Sequence, residues 1–181
     1  TRELGGAHME YFRGINNPIG MKVGPTMKED ELIRIIDVLN PDNESGRLNL
    51  ISRFGHENIN DHLPKLVKRI KDEGRNVLWS CDPMHGNTFT ATSGFKTRDF
   101  EHILNEIRHF FNIHKEEGTV PGGIHFELTG DDVTEIKGGA QKIDDHHLSE
   151  RYLTNCDPRL NCQQSLEMAN MGAGCWIFFD N

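Results

Sequence analysis

Short apolar runs alternate along this chain with longer stretches in which apolar residues recur every three or four positions. "PIGMKVGP" predicts a strand from Ile19 to Val23, stopped by Gly24-Pro25. "EDELIRIIDVLN" places Leu32, Ile35, Ile36 and Leu39 on one helical face. Thr26 and Glu29 ahead of it have capping-box spacing, and Asn40-Pro41 gives the stop. "RLNLISRFG" predicts a strand from Leu48 to Ser52. "HLPKLVKRIKDEG" predicts a helix with Leu63, Leu66, Val67 and Ile70 inward, ended by Gly74. A third strand lies in "NVLWSCD". A long helix follows in "TRDFEHILNEIRHFFNIHKEEG", striped by Phe100, Ile103, Leu104, Ile107 and Phe111, and a fourth strand in "GGIHFELTG". A looser segment, "GGAQKIDDHHLSERYLT", leads to a last helix from about Asn161.

Strand and helix in repeated alternation predict a parallel α/β fold. The first three strands start about 30 residues apart, and the longer gap to the fourth comes from an extra loop after His85. The strands end in charged or ligating residues: Lys22, then Arg53, then Asp82 and His85, then Glu127. Polar groups at the carboxyl ends of neighbouring parallel strands converge on one mouth. That mouth is the active site of a (β/α)8 barrel and the ligand crevice of a doubly wound sheet, so the pattern leaves both open. A full barrel takes about 250 residues. Some four βα units in 181 residues fit half a barrel plus a C-terminal tail, with residues 1–181 forming one unit and no second domain.

Composition narrows the function. With 35% hydrophobic and 27% charged residues and a mean hydropathy of -0.60, the chain reads as a soluble protein with a polar surface. A formal charge of -8 argues against nucleic acid or an anionic membrane as the main partner. No apolar run approaches the roughly 20 residues of a membrane span, and no targeting segment is visible. Four cysteines without a CxxC pair argue against a disulfide scaffold or zinc knuckle. They suit a reducing, cytoplasmic setting. The chain opens on Thr1 rather than Met, which points to sequence upstream.

Each polar candidate has a plain structural alternative. Lys22 in an apolar strand needs a partner, because an unpaired buried ammonium is costly. Arg53 fits a ligand or a helix cap equally well. A lone histidine such as His85 is more often an ordinary loop or core residue. Glu127, between Phe126 and Leu128, needs a cation, and a metal is one candidate. Asp82 and Asp157 each precede a proline and suit a turn. Asp131-Asp132 would bind a cation or begin a turn, and His146-His147 reads as a solvated loop.

Taken together the words are more specific. "NPIGMKVGP", "SRFG", "WSCDPMHGNT", "SGFKTRDF", "GGIHFELTGDDVTE" and "RYLTNCDPRLNCQQSLE" resemble the class II 3-deoxy-D-arabino-heptulosonate 7-phosphate (DAHP) synthases, in order from Thr1 to about Met168. The match falls on the second half of that family's chain, which closes a (β/α)8 barrel. The resemblance implies a transferase that condenses phosphoenolpyruvate with erythrose 4-phosphate and releases phosphate, the first committed step toward chorismate and the aromatic amino acids. It implies a divalent metal, Mn²⁺ foremost and Co²⁺ or Zn²⁺ as alternatives, on His85, Glu127 and Asp157. It makes Lys22 and His85 catalytic, assigns Lys22 and Arg53 to phosphoenolpyruvate, and puts Lys96 on the sugar-phosphate side. The family's cysteine ligand comes from the other half, so Cys81 and Cys156 are not promoted to it. A cytoplasmic location, or the plastid in a plant, would follow.

Two departures stand out. The tail "MANMGAGCWIFFDN" has Gly172 and Gly174 and then Trp176 to Phe179, which predicts a poor helix and an adhesive surface. Ile136 stands where the family pattern suggests cysteine. Open sheet edges on a half barrel predict a homo-oligomer or pairing with an N-terminal half. Alone, the chain would then be a non-catalytic metal- or phosphate-binding fragment. An unrelated phosphate-binding barrel module is a third possibility.

Overall fold

A computed structural model describes residues 2–179, with side chains through residue 175. Helix α1 (Ala7–Arg13) precedes strand β1 (Ile19–Val23), helix α2 (Glu29–Leu39), strand β2 (Leu48–Ser52), helix α3 (Ile59–Asp72) and strand β3 (Leu78–Cys81). A hairpin of β4 (Thr88–Thr90) and β5 (Lys96–Arg98) leads into helix α4 (Phe100–Glu116). Strand β6 (Gly123–Ile124), a 3-10 turn (His147–Ser149) and helix α5 (Cys162–Phe179) complete the order.

The main sheet is parallel, in the order β1-β2-β3-β6. The fold is therefore a mixed α/β arrangement with a parallel sheet. Its core joins inward residues of α2, α3 and α4, such as Ile35, Ile36, Leu63, Leu66, Ile103 and Ile107, to Leu48 and Leu50 of the sheet. The register aligns Val23 with Ser52 and Ser52 with Cys81. Gly24, Arg53 and Asp82 therefore leave the sheet at one level. Among the described residues, β1 pairs only with β2 and β6 only with β3, so both outer edges are open.

Four expectations change. Helix α2 begins at Glu29, and its N-cap Lys28 makes no side-chain capping bond. Thr26 instead sits in a turn closed by Met27 N–H to Gly24 O (3.0 Å) and accepts from Arg2 (3.2 Å), so the capping box does not form. The fourth strand stops at Ile124 rather than continuing through Glu127. His125 N–H makes one more bond, to Cys81 O (2.7 Å). Beyond it the chain changes partners: Leu160 N–H donates to Glu127 O (3.0 Å) and Thr129 N–H to Leu160 O (2.9 Å). The "extra loop" after His85 holds the antiparallel β4–β5 hairpin. Helix α5 runs through Gly172 and Gly174, because packing against α4 outweighs their poor propensity. The expected adhesive side chains of Trp176 to Phe179 lie outside the described residues. The expected end of α3 holds, before Gly74 at φ 63°. Ile136 is buried in the core. Among the described residues, no helix is long and apolar enough to cross a membrane.

Candidate metal centre and anion cavity

Asp82 follows β3 directly and is fully buried. Its Oδ1 accepts the N–H groups of Met84 (3.0 Å) and His85 (3.1 Å), closing the turn that its position before Pro83 predicts. Its Oδ2 does more: it pairs with Lys22 Nζ and with His85 Nδ1 (2.7 Å). Burial pushes the Asp82 carboxyl up, but the bonds from Lys22 and from the two backbone N–H groups outweigh it and leave it below its ordinary value. With Nδ1–H donating to Asp82, the lone pair of His85 Nε2 faces away from the carboxylate.

Two carboxylates meet that nitrogen. His85 Nε2 lies 3.3 Å from Glu127 Oε1 and 3.7 Å from Asp157 Oδ2. One ligand atom from each of the three residues lies within 4.8 Å of the other two. The second oxygen of each carboxylate is already engaged. Glu127 Oε2 accepts from Arg98 (2.6 Å), and Asp157 Oδ1 pairs with Lys96. Lys96 holds the Asp157 carboxyl below its ordinary value. Each prospective ligand thus has one atom fixed by a neighbour and one turned inward, as outer partners orient ligands at metal sites. One imidazole and two carboxylate oxygens suit a borderline-to-hard divalent ion. The donor set fits a metal.

Arg98 is the residue that sequence reasoning missed. It is fully buried at the end of β5 and also donates to Thr88 Oγ1 (2.9 Å) and Pro158 O (2.5 Å). Its Nη2 has no hydrogen bond among the described residues and lies 3.8 Å from Asp157 Oδ2. Lys96 is not a free cation near the site but the partner of Asp157. Cys81 is buried, its thiol pushed well up by that burial, and lies outside the ligand group.

Lys22 and Arg53 line an adjoining cavity of about 490 Å³, together with Arg2, His8, Gly24 and Thr26. Arg53 reaches across to the third strand's loop, donating to His85 O (3.2 Å). A guanidinium and an ammonium at one wall suit a phosphate or carboxylate. The six sequence candidates therefore fall into two adjoining groups: Lys22 and Arg53 at the cavity, and His85, Glu127, Asp157 and Lys96 at the ligand cluster. Asp131 turns back on Thr129 and His147 bonds Asp144, each local and apart from the cluster.

Comparison with known proteins points to one family. The model of the Class-II DAHP synthetase family matches residues 1–173. The chain is 50% identical over 169 residues to the phospho-2-dehydro-3-deoxyheptonate aldolase AroG of Mycolicibacterium smegmatis, covering 93% of this chain and 36% of that protein. It is 52% identical over 169 residues to the phospho-2-dehydro-3-deoxyheptonate aldolase of Streptomyces coelicolor, covering 93% of this chain and 38% of that one. The chain thus spans between 36% and 38% of the length of these relatives. The unmatched residues, 174 onward, fall in the tail whose sequence departs from the pattern. The chain belongs to the class-II DAHP synthetase family.

Proposed function

We propose that residues 1–181 form one unit that supplies the second half of a (β/α)8 barrel. The complete enzyme condenses phosphoenolpyruvate with D-erythrose 4-phosphate to give DAHP and phosphate, in the cytoplasm or, in a plant, the plastid. What carries this function is the convergence of His85 Nε2, Glu127 Oε1 and Asp157 Oδ2 beside a cavity lined by Lys22 and Arg53, in a chain of this family. The open edges of β1 and β6 would take the remaining strands, from an N-terminal half or from a second copy.

In this scheme Arg53 and Lys22 grip the phosphate and carboxylate of phosphoenolpyruvate. His85, Glu127 and Asp157 would hold a divalent ion, Mn²⁺ first and Co²⁺ or Zn²⁺ otherwise, which would supply Lewis acidity for the aldehyde oxygen of erythrose 4-phosphate. The enol carbon of phosphoenolpyruvate attacks the aldehyde carbon, water adds at the neighbouring carbon, and phosphate leaves. Asp82 keeps Nε2 of His85 turned to the ligand cluster, and Arg98 keeps Oε1 of Glu127 there. Lys96 sits on the sugar-phosphate side.

Mn²⁺ titration of the chain, followed by electron paramagnetic resonance, tests the site. His85→Ala and Glu127→Ala should each abolish tight binding; unchanged binding in both would remove the metal assignment. Phosphate release from the two substrates with Mn²⁺ tests the reaction. Release only after the family's N-terminal half is added would identify the isolated chain as a non-catalytic fragment of the enzyme. No release under either condition would overturn the assigned activity.

A further inference from the structure

We propose that Glu106 is a positioning residue: from helix α4 it sets the spacing between the loop that carries Arg53 and the loop that carries His85. The functional reading above enters only in what those two loops bind.

Glu106 is fully buried, and its donors come from outside its own helix. Oε1 accepts the backbone N–H groups of Phe54 (2.9 Å) and Gly55 (3.0 Å), the two residues after Arg53. Oε2 accepts Asn87 Nδ2 (2.6 Å), two residues after His85. Asn87 extends the network in both directions. It donates to Pro83 O (2.8 Å) and accepts from His56 N–H (3.0 Å). The two loops also meet backbone to backbone. A Cβ on Gly86 would lie 2.3 Å from Gly55 N, and one on Gly55, which sits at φ 83°, would lie 2.7 Å from Gly86 O. One carboxylate therefore ties the backbone of one loop to the Asn87 side chain of the other, where the two loops cross in close contact.

Packing alone does not account for the residue. Leucine would fill an apolar stripe between Ile103 and Phe110 without a buried charge. Burial pushes the Glu106 carboxyl up to about 7 despite the three donors, and the nearby Asp82 adds to the rise. Other titratable groups nearby include the buried Cys81 thiol and, through Asn87, the ring of His56, on which His102 stacks at 3.8 Å. An acid so placed is an expensive spacer unless the loops need fixed acceptors. Its two oxygens divide that task, one for each loop.

Nuclear magnetic resonance of the 181-residue chain tests this directly. The amide signals of Phe54 and Gly55 and the side-chain amide of Asn87 should titrate together, with a shared midpoint near 7. In Glu106→Gln the shared titration should vanish, and the signals of Arg53 and His85 should both shift. Asn87→Ala, which leaves the Phe54 and Gly55 bonds intact, covers the case in which Glu106→Gln does not fold; it too should shift signals in both loops. Perturbation confined to α4 or to one loop overturns the proposal. Calorimetry with phosphoenolpyruvate supplies the second readout. Both variants should bind at least about tenfold more weakly, the scale of small misplacements of binding groups. Equal affinity in parent and variants overturns the proposal. If the parent itself binds no phosphoenolpyruvate, the functional reading fails, while the shared titration still decides the role of Glu106.

Discussion

Two buried carboxylates hold this site together, and they do it under opposite electrostatic conditions. Glu106 bonds three neutral donors from the loops after β2 and β3. Glu135 is equally buried and organises the loop around Asp157. It accepts the N–H groups of Leu153 (3.2 Å), Thr154 (2.9 Å) and Arg159 (2.8 Å), and the Arg159 guanidinium at 3.0 and 2.8 Å. Burial pushes Glu135 up, but the Arg159 bonds outweigh it and leave it below its ordinary value. Glu106 has no such fork and rises to about 7. A similar wrapping of donors thus yields a locked anion in one region and an acid poised near neutrality in the other. The guanidinium makes the difference.

The largest effect should come from breaking the ion-paired side. Glu135→Ala leaves three loop N–H groups and a half-buried guanidinium without their acceptor, at a cost of about 3–5 kcal/mol. A chain of this size should then melt roughly 10 °C lower. Mn²⁺ affinity should fall with it as the Asp157 loop loosens. Differential scanning calorimetry and a Mn²⁺ titration check both.

Next comes pH. Folded Glu106 titrates near 7 against an ordinary 4.5, so the unfolded chain gives up its proton first as pH rises. Its contribution to stability is complete below about 4.5 and is lost as pH climbs through about 7, a span on the order of 3 kcal/mol. Glu135 runs the other way. Its contribution is present above the ordinary 4.5 and is lost as pH falls through its lower folded value. Urea melts of Glu106→Gln and the parent should diverge most in their slopes between about pH 4.5 and 7, the window those values define. Glu135→Gln should instead flatten the acid limb. Parallel curves for Glu106→Gln and the parent would refute the raised value.

Gly86→Ala should cost about 1–3 kcal/mol by forcing the crossed loops apart. It should weaken phosphoenolpyruvate binding while sparing the Asp157 loop, whose amide exchange rates would stay unchanged. Asp99→Ala should do least. It removes the cap of α4, a bond from Glu101 N–H (2.9 Å), worth about 1 kcal/mol. Both regions should then loosen slightly and equally under thermal melting.

Much of this was legible in the chain. The strands from Ile19, Leu48 and Leu78 obey simple apolar runs, and a parallel register then carries Lys22, Arg53 and Asp82 to one end. His85, Glu127 and Asp157 were readable as a group through the family's word forms. Asp82 was readable as a turn residue, and it is one, but its second oxygen serves Lys22 and His85. Glu106 left a signal: an acid on the stripe of Ile103, Ile107 and Phe110 is out of place on an apolar helix face. Arg98 and Glu135 left none, because their partners lie 29 and 24 residues away, at Glu127 and Arg159, and no local period encodes such a pairing. The fourth strand failed for a related reason. Its apolar pattern is real, but beyond His125 its bonding partner becomes the segment at Leu160.

The open sheet has a consequence in symmetry. Its two edges are unlike: β1 is five residues long and β6 is two. Closing a barrel from two copies therefore joins unlike edges, β1 of each to β6 of the other, about one two-fold axis. Joining β1 of one copy to β6 of the next is a head-to-tail contact, which repeats until rotation brings the chain of copies back to its start. Four main-sheet strands among the described residues of each copy make two copies the number that closes an eight-stranded ring. Self-association of the isolated chain would therefore stop at a discrete dimer if the curvature of the sheet matches that of a barrel, and run on into filaments if it does not.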